Sequence, residues 1–191
     1  MDKEQFSCVG HSVPKIDAAD KVLGRAVYSE DISFPDMLYG RVLRAGIPHA
    51  VIEEIDTREA NAMTGVVCVL TARDIPGINR FGIAFQDQVA LAEDRARYIG
   101  EAVALVAAET EEIARDAVKA IRVKYRPLPV ITNPHEGLAE GAVKIHEKGN
   151  LLLHIKLRKA DIAKGFAQAD VVVENTHKTH VVDHAYIETE S

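Results

Sequence analysis

The stretch Gly100-Glu-Ala-Val-Ala-Leu-Val-Ala-Ala-Glu109, followed by Thr110-Glu-Glu-Ile-Ala-Arg-Asp-Ala-Val-Lys-Ala-Ile-Arg-Val-Lys-Tyr-Arg-Pro-Leu-Pro129, reads as strand, helix, strand within thirty residues. Ala102 to Ala108 is one continuous apolar run, the pattern of a strand covered on both faces. Thr110 is a good N-cap, and Glu111 and Glu112 put negative charge where a helix dipole favours it. Ile113, Ala114, Ala117, Val118 and Ile121 then recur at helical spacing and form one apolar stripe. From Ile121 the period changes to two. Ile121, Val123 and Tyr125 face one way and Arg122, Lys124 and Arg126 the other, until Pro127 and Pro129 end the strand.

Upstream, Leu38–Arg44, Val51–Ile55 and Val66–Leu70 read as further strands, after an extended N-terminal arm ending near Asp31. Thr57 and Thr71 each cap a short helical turn, and Pro76-Gly77 stops the second. Residues 78–95 carry a weak pattern and read as a long loop. The strands near 38–44, 66–70, 102–108 and 121–126 are expected in one mixed sheet, with helix 110–120 packed on it through Ile113, Ala117 and Ile121. Pro127, Pro129, Pro134, Gly137, Gly141 and Gly149 then punctuate a linker. Beyond it, Leu151–Leu157 reads as strand, Asp161 caps a helix over 162–169, and residues 170–182 read as a long β-branched strand.

The 191 residues suffice for a sizeable core, and 47% apolar with 27% charged residues is ordinary globular composition. A net charge of -6 argues against a nucleic-acid partner and makes Arg122, Lys124 and Arg126 a solvated strand face. Cys8 and Cys68 lie far apart, which excludes a disulfide framework or a thiolate cluster; Cys68 reads as a small core residue. Met1-Asp-Lys-Glu-Gln5 lacks the apolar run of a signal peptide, and no stretch of about eighteen apolar residues occurs. A cytoplasmic protein without membrane contact is expected.

Three constellations invite chemistry. His177, His180 and His184 would share a face on a helix, but Val171, Val172, Val173, Thr176, Thr179, Val181 and Val182 favour a strand. There His180 and His184 stand about 13 Å apart, too far for one ion. No phosphate cradle of the form G-x-G-x-x-G or G-x-x-x-x-G-K-[ST] occurs, and Glu109, Glu111 and Glu112 line the strand-to-helix turn where a phosphate would sit. His49, Asp56 and Asp74 lack a Ser or Cys nucleophile in an elbow context and read as loop and turn residues. Catalytic, cofactor and metal residues are therefore all expected to be absent from this chain.

Four blocks in order resemble the α/β hammerhead domain of the xanthine dehydrogenase and aldehyde oxidase family. They are Val9-Gly10 with Pro14–Ala18 and Lys21–Asp31; Met37–Arg44 with Pro48-His49-Ala50 and Ile55-Asp56-Thr57; Gly65–Val67 with Val69–Pro76; and Arg97–Glu101 through Tyr125–Pro129. The resemblance implies an α+β fold, with a mixed sheet and packed helices, followed by the first strands of a truncated molybdenum-cofactor domain. It divides the chain into an arm and hammerhead domain over 1–132, a linker over 133–150, and the incomplete cofactor domain over 151–191.

The resemblance implies the N-terminal part of a molybdenum hydroxylase subunit, serving as scaffold and substrate-funnel wall and inactive alone. The parent enzyme would use molybdenum–molybdopterin, with [2Fe–2S] and FAD on other domains or subunits. Its partners would be the rest of the molybdenum subunit and the iron–sulfur and flavin subunits. Glu188, after Tyr186-Ile187, matches a glutamate that reaches the substrate pocket in xanthine-oxidising members, although Val182-Asp183 stands where they have Gln-Glu. The substrate, whether purine, other heterocycle or aldehyde, stays open. A free-standing assembly module without catalytic role is the alternative. Without the rest of a cofactor domain, Val171–Val182 is expected to self-associate, giving a homodimer.

Overall fold

The computed structural model describes residues 8–83, 85–183 and 185. In chain order these form α1 (Ala18–Val22), β1 (Tyr39–Arg44), β2 (Ala50–Asp56), α2 (Arg58–Asn61), β3 (Val66–Thr71), β4 (Arg95–Ala96), β5 (Ala102–Ala108), α3 (Glu111–Ala120), β6 (Arg122–Pro127), α4 (Pro134–Gly137) and α5 (Ile162–Ala167). The chain divides into two compact units, Asp36–Asp170 and Met1–Pro35 with Val171–Ser191.

The strand-helix-strand reading holds to within a residue. β5 covers the continuous apolar run, and Thr110 Oγ1 accepts the Ile113 N–H at 3.2 Å to start α3. Ile121 turns extended (φ -72°, ψ 128°) and ends the helix where the period changes. The strands, however, do not form one mixed sheet. β1, β5 and β3 make one antiparallel sheet in that order, and β4, β2 and β6 make another. Periodicity specifies an element's type, not its neighbour, and α3 carries the chain from the first sheet to the second. The alternation of β6 already marks a strand with one wet face, which suits its place at an antiparallel edge.

The core follows from these faces. Ala104, Val106 and Ala108 on β5 meet Ala114 and Ala117 on α3, with Val69 and Ile121 closing the cluster. The small alanines let helix and sheet approach closely. Each buried valine contributes about 1.5–3 kcal/mol over leaving it exposed. The helix seam is thus Ala114, Ala117 and Ile121, whereas Ile113, expected to point inward, is only half-buried at the margin. Gly65 explains the margin. Its backbone is left-handed (φ +83°), and a Cβ there would lie 2.6 Å from Ile113 Cδ1, so glycine lets the start of β3 pass under the helix. A second cluster, Ala45, Ile52, Ala92, Ala96 and Val103, fills the inner face of the β2 sheet.

His49 fastens the start of β2 to the end of β6. Its Nδ1–H donates to Pro129 O at 2.6 Å, and its backbone carbonyl accepts the Leu128 N–H at 2.9 Å. Nε2, buried, is left as an acceptor with no hydrogen-bond partner among the described residues.

The basic face of β6 is neutralised rather than merely solvated. Lys124 and Arg126 both reach Glu53, at 3.0 and 3.2 Å, and Arg122 reaches Glu59 at 2.8 Å. Across the strand, the Arg58 side chain and backbone N–H hold the Asp56 carboxyl well below the usual range, and Lys124 lowers Glu53. Carboxylates lowered in the folded state stabilise it above their unfolded pKa of about 4, and that contribution is lost as pH falls through the folded values. The groups are exposed, so the effect is modest and salt-screened. We expect the melting temperature to fall as pH drops below about 4, and to fall less in Asp56→Asn. Parallel wild-type and variant profiles by circular dichroism would show that Asp56 is not linked to folding.

The segments 151–157 and 171–182, read as strands, have no pairing partner among the described residues and form no ladder, because β structure is made by pairs. Leu153, Ile155, Leu157, Val171 and Val173 stand at least 55% exposed. Asp161 does cap a helix, its Oδ1 accepting the Lys164 N–H at 3.0 Å.

Candidate functional site

A cleft of about 600 Å³ is lined by residues between Arg80 and Leu152. Its floor is the turn before β5. Gly100 adopts φ +96°, which only glycine takes without strain, and donates its N–H to Ala45 O at 2.8 Å. Ala45 returns the bond to Glu101 O at 2.8 Å, and Arg44 Nη1 donates to Gly100 O at 2.9 Å. The turn is thereby locked to the end of β1. Glu101, only 3% exposed, accepts the Arg97 backbone N–H at 2.6 Å and faces the Arg97 guanidinium at 3.7 Å. Arg97 is itself largely buried and donates to Arg95 O at 3.2 Å.

Two asparagines shape the walls. Asn79 donates to Leu91 O and accepts from the N–H groups of Ala90 and Leu91, cinching the 79–91 loop, within which Phe81 and Gln88 form an isolated bridge. Asn150 donates to Gly137 O and Val143 O, both at 2.8 Å, and accepts from Ile145 N–H, cinching the 137–150 segment. Across the cleft, Lys148 Nζ sits 5.1 Å from the Phe85 ring centroid, and His146 Nδ1 lies 3.5 Å from Asp87 Oδ2.

Cationic Arg80, Arg97 and Lys148 are interleaved with Asp87, Glu101 and Glu147, and none of the described lining residues is a Ser, Thr or Cys. Such a wall can orient a planar or polar group and exclude water, but it supplies no nucleophile–base pair. It also does not fit a pterin cofactor's phosphate. The acidic groups stand among the cations, and among the described residues no helix's first turn lines the cleft.

The other sequence candidates do not converge. His49 bonds to Pro129, Asp56 to Arg58, and Asp74 Oδ2 caps Thr71 N–H at 2.7 Å. His177 and His180 are exposed. Glu188 and His184 lie outside the described residues. Among those described, no three His, Cys, Asp or Glu side chains are placed to share an ion. Cys68 is half-buried rather than in the core. The asparagine staples and the Arg97–Glu101 pair are the features sequence reasoning missed. The signal for the staples was a lone Asn at one end of each segment, Asn79 opening 79–91 and Asn150 closing 137–150.

The locked turn Arg97–Glu101 and the β5–α3–β6 segment lie within residues 23–129, and those residues match the family described as aldehyde oxidase and xanthine dehydrogenase, a/b hammerhead domain. This chain belongs to that family. A Bacillus subtilis (strain 168) protein named as a probable xanthine dehydrogenase subunit is 47% identical over 174 residues, covering 91% of this chain and 23% of that protein. The nicotinate dehydrogenase large molybdopterin subunit of Eubacterium barkeri is 38% identical over 188 residues, covering 98% of this chain and 44% of that one. The aldehyde oxidoreductase from Desulfovibrio gigas superposes with a TM-score of 0.71 at 31% identity, over 83% of this chain and 19% of its own. The chain therefore spans less than half the length of each. Its α+β architecture is the hammerhead expected from sequence, built of antiparallel sheets. Residues 23–129 carry the hammerhead domain of the aldehyde oxidase and xanthine dehydrogenase family.

Proposed function

We propose that this hammerhead serves as scaffold and substrate-funnel wall in a molybdenum hydroxylase that oxidises a C–H bond of an aromatic heterocycle or an aldehyde. The single observation that carries the reading is that 91% of this chain aligns, at 47% identity, with 23% of a protein named as a xanthine dehydrogenase subunit. In this reading, residues 1–132 are arm and hammerhead, 133–150 a linker, and 151–191 the opening of the molybdenum-binding domain. A molybdenum cofactor held elsewhere in the enzyme would supply two-electron oxidation, with [2Fe–2S] and FAD groups on other domains or subunits as electron acceptors. This chain's own groups position substrate. The Phe85–Lys148 and Tyr98 walls offer aromatic and cationic contact, and Glu188, by family resemblance, is the substrate-pocket candidate. The general base is a glutamate outside this chain. The setting is the cytoplasm, and among the described residues no helix is long and apolar enough to cross a membrane.

The test is co-expression of the tagged chain with the remaining molybdopterin-binding polypeptide from the same genome. We expect a stable complex that contains molybdenum and oxidises a heterocycle or aldehyde with a dye as electron acceptor, and no turnover by the chain alone. Failure to form a complex would overturn the proposal and favour a free-standing assembly module.

A further inference from the structure

Among the described residues the two sheets have three edges of four residues or more, and they are not protected alike. β6 carries Arg122, Lys124 and Arg126 and ends on Pro127. β1 carries Arg41 and Arg44. Charged side chains and proline on an edge are the ordinary defence of a strand that faces water. β3, the remaining edge, reads Val66-Val67-Cys68-Val69-Leu70-Thr71, without a charge or a proline. A bulge between Val66 and Cys68 blunts only its first half. Val67 is 56% and Leu70 37% exposed.

The sheet face behind that edge is equally uncharged. Register sets Val42 opposite Leu105, Leu105 opposite Leu70, and Ala107 between Gly40 and Cys68. Strand alternation puts these on the face opposite Val106 and Val69, which pack under α3. Within Asp36–Asp170 all of them remain half-buried or exposed. Yet β5 is apolar on both faces, the composition of a strand with two covers. α3 covers one face; on the other, Val103 is buried against Ala45, Ile52, Ala92 and Ala96, while Leu105 and Ala107 further along are left without a full cover.

We propose that the β3 edge and the face of Gly40, Val42, Cys68, Leu70, Leu105 and Ala107 dock the remainder of the molybdenum-binding polypeptide, which adds an extended segment beside β3. The proposal rests on the function inferred above. The occupant is favoured because relatives that align with 91% and 98% of this chain devote only 23% and 44% of their length to it, so each carries ample chain to cover the face. An uncharged face and an undefended edge suit a permanent intramolecular or obligate cover rather than a transient partner.

The experiment uses the full 191-residue chain and the separately expressed molybdopterin-binding polypeptide. Expected are a stoichiometric complex, backbone amides of 66–71 exchanging at least about tenfold more slowly in it, and Leu70→Lys binding at least about tenfold more weakly. Leu138→Lys, at an exposed position on the α4 side, should bind as wild type. A melting temperature near wild type shows that Leu70→Lys remains folded; if it does not, the exchange measurement on wild type decides alone. A complex that forms with β3 amides unprotected, or one indifferent to Leu70→Lys, overturns the docking surface and leaves the proposed function standing. No complex with wild type sinks both. A wild-type dimer made monomeric by Leu70→Lys assigns the face to a second copy and overturns the proposal.

Discussion

Ala117→Asp should abolish or severely weaken the cooperative unfolding transition, costing about 4 kcal/mol or more. Ala117 is fully buried, with Ala114 beside it on α3 and Val69, Val106 and Ile121 in the same cluster. A carboxylate there finds no cation within the cluster, and the close helix–sheet approach leaves no room for the larger side chain, so transfer and overpacking costs add. Ile113→Asp should cost less, about 2 kcal/mol, because its side chain sits at the margin of the seam and the carboxylate can turn toward water. Arg115→Ala, on the exposed face, should stay within about 0.5 kcal/mol. Urea unfolding of the three variants reads the rotation of the helix directly. An Ile113→Asp cost exceeding that of Ala117→Asp would mean that the seam has been assigned to the wrong stripe.

That contrast also shows what the sequence carries and what it does not. Thr110, Glu111 and Glu112 announce the start of α3 locally, because a cap is a contact between residues three apart, and the structure has the Thr110–Ile113 bond. The end at Ile121 is equally local. Which of Ile113 and Ala114 lies deeper is not local. It depends on Gly65 passing beneath the helix, 48 positions earlier in the chain, and a stripe five residues wide allows either rotation. The division into two sheets is likewise a matter of pairing. Glu53 on β2, paired with Lys124 and Arg126, accompanies the placing of that strand beside β2, but nothing in residues 121–126 alone says so. β-branched residues at 171–173 and 181–182 advertise strand propensity, and propensity without a partner leaves extended chain.

The site was less legible for a related reason. Its groups bond to main-chain donors and acceptors, as in Arg97 N–H to Glu101 and Asn150 to Gly137 O, and hydrogen bonds to main chain leave no residue-type partner to search for. Gly100-Glu101 was visible as the start of a strand. That the carboxylate turns back into the chain, instead of out into the cleft, follows only from the Gly100 conformation and its lock to Ala45.

Glu101 is therefore where the second large effect is expected. Glu101→Ala should destabilise the chain by about 2–4 kcal/mol, since it strips the acceptor from the Arg97 N–H and leaves a largely buried guanidinium without its inner partner. Arg95 O and Asp94, at 3.2 and 3.7 Å, still engage Arg97, which is why the cost stops short of an unfolded chain. Glu101→Gln keeps an oxygen for the N–H bond and loses only the charge, so it should cost about 1 kcal/mol and separate the two contributions. The damage should also be local. Amides from Arg97 to Glu101 ought to exchange faster in Glu101→Ala, while those of α3 keep their protection at low urea, because the turn is tied to β1 and not to the helix. Equal costs for the Gln and Ala variants would assign the stability to charge instead of the 2.6 Å bond. A cost below about 0.5 kcal/mol for Glu101→Ala would show that the pair contributes nothing net to the fold, and that the floor of the cleft is held by the Gly100–Ala45 lock alone.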